Sequence, residues 1–242
     1  MVKFGNGRHK SRDRPGMKPS GMDAPGEAPL RVLYAHGLES GPNGYKVVQL
    51  RAQGLDVVAP SLKMSLWDPR QSNGLLRSLL SPSALLQRWP WHWLPGAMDD
   101  CLGACVAVMR SAVADCPDGV LVGSSWGGAV AAALVAGGSW SGPAVLLCPA
   151  LRVKERWAGA SLHPLLTSDT VTAALAALPA ERKARMLLVH GTADDVVPID
   201  DSRELSSSTG IGLELIEGGS HGLGSIARDG RLAGFVRRVS GR

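Results

Sequence analysis

The stretch Gly119-Val120-Leu121-Val122-Gly123-Ser124-Ser125-Trp126-Gly127-Gly128-Ala129-Val130-Ala131 runs from a short branched apolar segment, through a turn of small residues, into an alanine-rich segment. Val120 to Val122 have the Val/Leu character of a strand buried on both faces. Residues 127–136 are small and apolar, as expected of a helix packed closely on a sheet. A strand, a tight turn and a helix in immediate succession form the unit from which parallel sheets covered by helices are built.

The same alternation continues along the chain. Apolar runs at 30–35, 57–59, 144–147, 186–189 and 213–216 read as further strands. Segments 46–53, 99–116, 127–136, 168–178 and 199–207 read as helices, with Ser168 or Asp169 and Asp200 or Asp201 near two of the starts as candidate caps. These elements predict an α/β fold with a mostly parallel central sheet and helices on both faces. No internal repeat is found.

The chain has 242 residues, 45% of them hydrophobic, which suits one domain with a large core. Residues 29–242 are expected to form that domain. Residues 1–28 hold six basic and three acidic residues and so account for +3 of the formal charge of +5. That segment has no apolar period and reads as a disordered basic leader. With the rest nearly neutral, no nucleic-acid partner is expected. No run approaches the ~18 apolar residues of a membrane span, and the N-terminus is charged where a signal peptide is apolar. A cytoplasmic protein without membrane association is the expectation.

Residues 63–98 break the alternation, with Pro69, Pro82, Pro90 and Pro95 among Trp67, Trp89, Trp91 and Trp93. They read either as a loop packed by its own aromatics or as a partial lid forming an apolar wall over a site. The four cysteines, Cys101, Cys105, Cys116 and Cys148, have neither disulfide-framework nor zinc spacing and are expected as reduced core thiols. Neither a phosphate-cradling loop nor a dinucleotide fingerprint is found. No cofactor or metal is expected.

Gly123-Ser124-Ser125-Trp126-Gly127 has Gly-x-Ser-x-Gly spacing, but a chain so rich in glycine and serine matches that pattern by chance in roughly one case in three. The motif gains weight from its address between strand and helix, where a strained turn lifts a serine hydroxyl above the sheet. A serine needs a base and a group to orient that base. Of six histidines, His9 falls in the leader, His92 among tryptophans, His163 before a proline, and His36 and His190 at strand ends. His221 alone comes late, in the loop Glu217-Gly218-Gly219-Ser220-His221, and is the candidate base. The acid belongs after 186–189, where Asp194 and Asp195 compete; Asp194, four residues after His190, is preferred, with Asp195 a solvent-facing turn residue. The Trp126 amide, at the helix start, and the Leu38 amide, in the glycine-rich loop after 30–35, are the candidate oxyanion donors. His36 is read as an organiser of that loop. Glu39 and Lys46 are read as solvated surface groups, although near enough to bear on substrate charge.

His36-Gly37-Leu38-Glu39-Ser40-Gly41-Pro42 with Lys46, Val122 to Gly128, Cys148-Pro149-Ala150-Leu151-Arg152 and Ile216 to His221 together resemble the α/β-hydrolase superfamily, and more narrowly its small esterases of the YqiA type. The resemblance implies an α/β-hydrolase fold with little or no cap domain, and a cofactor-independent serine hydrolase cleaving small acyl esters or thioesters through an acyl-enzyme. The long leader, the tryptophan-rich segment and the bulky Trp126 depart from the family pattern. The rival expectation is a protein that keeps this fold to bind or sense a small molecule with little turnover.

Overall fold

The computed structural model describes residues 28–64, 94–158 and 163–242. The expected leader lies outside them except for Ala28, as does most of the 63–98 segment, including the four tryptophans on which a lid was read.

Six strands form one all-parallel sheet: β1 (Arg31–Ala35), β2 (Asp56–Val58), β3 (Val120–Ser124), β4 (Ala144–Leu147), β5 (Met186–Gly191) and β6 (Gly212–Ile216), in the order β2-β1-β3-β4-β5-β6. Nine described helices accompany them. These are α1 (Tyr45–Ala52), α2 (Leu94–Val113), α3 (Trp126–Ala136), α4 (Val153–Ala158), α5 (Ser168–Ala176), α6 (Ala180–Lys183), α7 (Ile199–Thr209), α8 (Gly224–Arg228) and α9 (Arg231–Ser240).

Alternation along the strands sends side chains to two cores, one on each face. Leu33, Ala35, Leu121, Leu146 and Leu188 pack with α2, α3, α5 and α7. Val32, Tyr34, Val122, Val145 and Val189 pack with α1, α8 and α9 on the other face. Both faces are therefore covered, which is why the inner strands contain so few polar residues. Ten of the eleven residues of α3 are buried, as its all-round apolar sequence requires.

All six expected strands are present. The five expected helices are present with shifted ends; α2 begins at Leu94 rather than 99 and stops at Val113 rather than 116. The cap of α5 is neither Ser168 nor Asp169 but Thr167, whose hydroxyl accepts the Thr170 amide at 3.0 Å. Neither aspartate caps α7; Pro198 occupies that position, and Asp200 and Asp201 lie in the first turn. Four helices were not anticipated. The longest of them, α9, buries Leu232, Ala233, Val236 and Val239, a one-sided stripe that its three arginines obscure in the sequence.

The chain passes from β1 outward to β2, then returns to lay β3 on the other side of β1. Connections therefore leave the carboxyl ends of β1 and β3 in opposite directions, and the crevice between them is where parallel α/β sheets place their ligands. The loop carrying Leu38 and the turn carrying Ser125 open into this crevice.

Candidate active site

The turn after β3 is sterically constrained. Ser125 has φ 57° and ψ −118°, a conformation that non-glycine residues rarely adopt and that costs roughly 1–3 kcal/mol. It is held from several sides: its amide donates to Leu147 at 2.8 Å, and its carbonyl accepts the Gly128 and Ala150 amides at 2.8 and 3.0 Å. The flanking glycines are needed for contact rather than for flexibility. A methyl group on Gly123 would overlap the Gly127 carbonyl, and one on Gly127 would overlap the Ala35 carbonyl of β1. Strand β3 and helix α3 can approach each other this closely only without those side chains.

The Ser125 hydroxyl lies 2.9 Å from Nε2 of His221, and Nδ1 of His221 lies 2.8 Å from Oδ2 of Asp194. An ionised carboxylate only accepts, so Nδ1 carries the proton and Nε2 accepts from the serine. Thus the structure brings Ser125, His221 and Asp194 together, 96 and 27 residues apart in sequence. Asp195 is exposed.

Asp194 is fully buried at its side chain, while that of His221 is 21% exposed. Burial raises the carboxyl pKa, but the Val197 and Val196 amides, the His221 imidazole and the Cys148 thiol all favour the anion, and the net shift is downward. Both valine amides donate to Oδ1 at 2.9 Å. The Asp194 and His221 loops are also stitched to each other: the Gly218 amide donates to the Thr192 hydroxyl at 2.9 Å, and the Ala193 amide to the Gly219 carbonyl at 2.9 Å.

His190 and Cys148 belong to this support, a role not read from the sequence. Buried His190 donates from Nε2 to the Val197 carbonyl at 3.0 Å and accepts at Nδ1 from Ser202 at 2.7 Å, pinning the Asp194 loop to α7. Burial, the main cause, lowers its pKa and keeps it neutral. Cys148 was expected only to fill the core. Its thiol hydrogen-bonds Asp194, and its pKa is pushed up to about 12 chiefly by burial. The candidate ligand atoms of Cys148, His190 and Asp194 lie within 4.8 Å of one another. Each is engaged in the hydrogen bonds just described, which account for the cluster. The His-Gly-x-x-Asp spacing was the signal for His190; Cys148 left none.

His36 organises its loop as anticipated. Its Nε2 accepts the Leu62 amide at 2.9 Å and its Nδ1 donates to the Gly37 carbonyl at 2.9 Å, joining the chain after β1 to the chain after β2. Gly37 packs against Ser124 and Ser125. Among the described residues, the Leu38 amide has no backbone acceptor. The Trp126 amide, first in α3, is one of the N-terminal donors that a helix leaves unpaired. Both amides are thus free to face an anionic oxygen.

Two cavities meet at Ser125 and His221. One of about 460 Å³ is lined by Tyr34, Ser40, Lys46, Ser124 and Ser220. The other, about 210 Å³, is lined by Leu38, Met98, Trp126, Ala150, Val153 and Val196. Glu39 lies at the second cavity and Lys46 at the first, so both expected surface charges border the site.

A family model described as "Uncharacterised protein family (UPF0227)" matches residues 98–232, a span that includes Ser125, Asp194 and His221. No curated protein matches the chain. Among solved structures, TT1662 from Thermus thermophilus is 18% identical with a TM-score of 0.53, covering 89% of this chain and 91% of its own. The Paleococcus ferrophilus monoacylglycerol lipase is 18% identical with a TM-score of 0.51, covering 86% of this chain and 94% of its own. The Anabaena variabilis dienelactone hydrolase is 20% identical with a TM-score of 0.51, covering 88% and 87%. At these identities the shared property is the fold, that of the α/β-hydrolase superfamily.

Proposed function

The chain belongs to the UPF0227 family, and on that premise we propose that it is a serine hydrolase cleaving a small acyl ester or thioester. His221 takes the Ser125 proton as the oxygen attacks the acyl carbonyl, and the Leu38 and Trp126 amides receive the oxyanion. Asp194 holds His221 in the tautomer that accepts at Nε2 and stabilises the imidazolium as it forms. The imidazolium gives its proton to the departing alcohol or thiol, leaving an acyl-enzyme. Water, deprotonated by His221, then releases the acid and regenerates Ser125.

The observation that carries this proposal is the continuous hydrogen-bonded line from Ser125 through His221 to buried Asp194, at 2.9 and 2.8 Å, ending on a serine held at positive φ. A serine in an ordinary surface turn has no reason to combine these features. The test is hydrolysis of p-nitrophenyl acetate and butyrate beside Ser125→Ala. A fall of roughly 10³-fold or more is expected, together with prompt labelling of Ser125 by a fluorophosphonate. Equal rates for the two proteins, or an inert Ser125 in a folded protein, would count for the binding protein instead.

A further inference from the structure

Lys46 is placed where structural electrostatics alone would not put a cation. It is the second residue of α1, at the positive end of the helix dipole, with no acidic residue in that first turn. It is half-buried, and its ammonium donates at 3.1 Å to the hydroxyl of Ser124, the residue before the proposed nucleophile. That hydroxyl is in turn hydrogen-bonded to buried Tyr34. Among the described residues no carboxylate lies within ion-pair distance of Lys46, and none lines the cavity it borders. An ammonium has three protons to donate, and among the described residues only the Ser124 hydroxyl accepts one of them. Removing such a charge from water without a partner is costly, so a half-buried unpaired lysine in a cavity points to a partner that arrives with the ligand. Burial accordingly lowers its pKa, and a bound anion would favour the charged form.

The cavity on the other side of Ser125 differs in character. Met98, Ala150, Val153 and Val196 give it apolar walls. The site is thus divided across the reacting serine, with a cation and hydroxyls on one side and, beside the single carboxylate of Glu39, mainly apolar groups on the other. Among the described residues, the only formal cation lining the polar side is Lys46, with no arginine beside it. One lysine neutralises a single negative charge, which suits a carboxylate better than a phosphate dianion.

Resting on the serine-hydrolase proposal for this same site, we infer that the substrate is an ester bearing a carboxylate on one side of the scissile bond and a short apolar group on the other, with Lys46 as the residue that selects the carboxylate. A carboxylate oxygen would accept from the Lys46 protons that Ser124 does not use.

The test uses the full-length Ser125→Ala protein, so that ligand binding is measured without cleavage. Calorimetry compares two matched pairs. In 4-(butanoyloxy)benzoate against p-tolyl butyrate the charge lies on the alcohol side, and in monoethyl glutarate against ethyl pentanoate it lies on the acid side. The carboxylate member of at least one pair should bind about tenfold or more tightly than its neutral partner, and that ratio should collapse in Ser125→Ala/Lys46→Met. The responding pair identifies which side of the bond carries the charge. As a second measurement that needs no Lys46 variant, raising salt from about 0.05 to about 0.5 M should weaken the carboxylate ligand selectively. Equal affinities within both pairs, or a preference that survives Lys46→Met, would overturn the inference. Failure of the hydrolase proposal is visible separately, as an intact protein that neither turns over ester nor reacts with fluorophosphonate, while the binding preference stands or falls on its own.

Discussion

Replacing Asp194 with asparagine separates the role proposed for this residue in catalysis from what it does for the fold. In the native protein Oδ1 accepts the Val196 and Val197 amides at 2.9 Å, and Oδ2 accepts from His221 at 2.8 Å with His190 Nε2 3.2 Å away. The asparagine carbonyl can keep both valine amides, so its NH₂ must face His221. A donor there forces His221 Nδ1 to accept, moves the proton to Nε2, and presents Ser125 with an N–H instead of a base. The expected fall in kcat is roughly 10⁴-fold, equivalent to about 5.4 kcal/mol of transition-state stabilisation. The structural cost is smaller. The amide would face the His190 N–H and the Cys148 thiol while losing one charge-assisted bond, at about 1–3 kcal/mol, or several degrees of melting temperature in a chain of this size. Asp194→Ala should lose comparable activity and melt lower still, because both valine amides lose their acceptor. Exposed Asp195→Asn should change stability by less than about 0.5 kcal/mol. The assays are p-nitrophenyl butyrate hydrolysis and thermal unfolding followed by circular dichroism. A folded Asp194→Asn protein with more than about one-tenth of native kcat would refute the tautomer reasoning.

Three further outcomes follow from the packing and burial. Gly127→Ala places a methyl group on the Ala35 carbonyl and should destabilise by about 4 kcal/mol or more, seen as insoluble expression or a collapsed melting temperature; a native-like melt would show that β1 and α3 can separate. His36 and His190 both have pKa values lowered mainly by burial, with Asp194, Asp201 and His221 the charged or titratable neighbours of His190. The unfolded chain therefore takes up protons near pH 6.5 that these folded imidazoles refuse, so stability present above that pH should be lost as pH falls below it, at up to about 2.7 kcal/mol per pH unit for the pair. Urea unfolding between about pH 7.5 and 5.5 measures the slope, and a flat or inverse trend contradicts the assignment. Finally, Cys101, Cys105, Cys116 and Cys148 are at most 1% exposed, so a thiol reagent such as DTNB should label all four in denaturant and almost none in the native protein; rapid native labelling would show that these sites open.

The fold and the candidate site were legible because they are written in local patterns: short branched runs, glycines where chain segments touch, and candidate residues at loop positions in order. Strand periodicity survives in the sequence because both faces of an inner strand are buried, leaving few polar interruptions. Helix α9 was missed because its arginines mask a stripe that is apolar on one side only. The cap of α5 was misplaced by a residue or two because Thr167, Ser168 and Asp169 are all competent caps, and only backbone conformation chooses among them.

The local sequence by itself determined that Ser125 follows a strand and starts a helix, because chain connectivity and side-chain volume act over a few residues. It also singled out Asp194 and His221 as candidates, by spacing and order. The tertiary structure decided what those residues meet. Parallel pairing of β3 to β4 and β4 to β5, and of β5 to β6, brings the chain ends after them to one edge, where three distant side chains come within hydrogen-bond distance. The same packing turned His190 and Cys148 into supports for Asp194, and moved Lys46 from an expected surface charge to a half-buried cation on Ser124, next to Ser125. Desolvation and hydrogen-bond partners belong to the surroundings, and residues distant in sequence supply those surroundings only when the chain has folded.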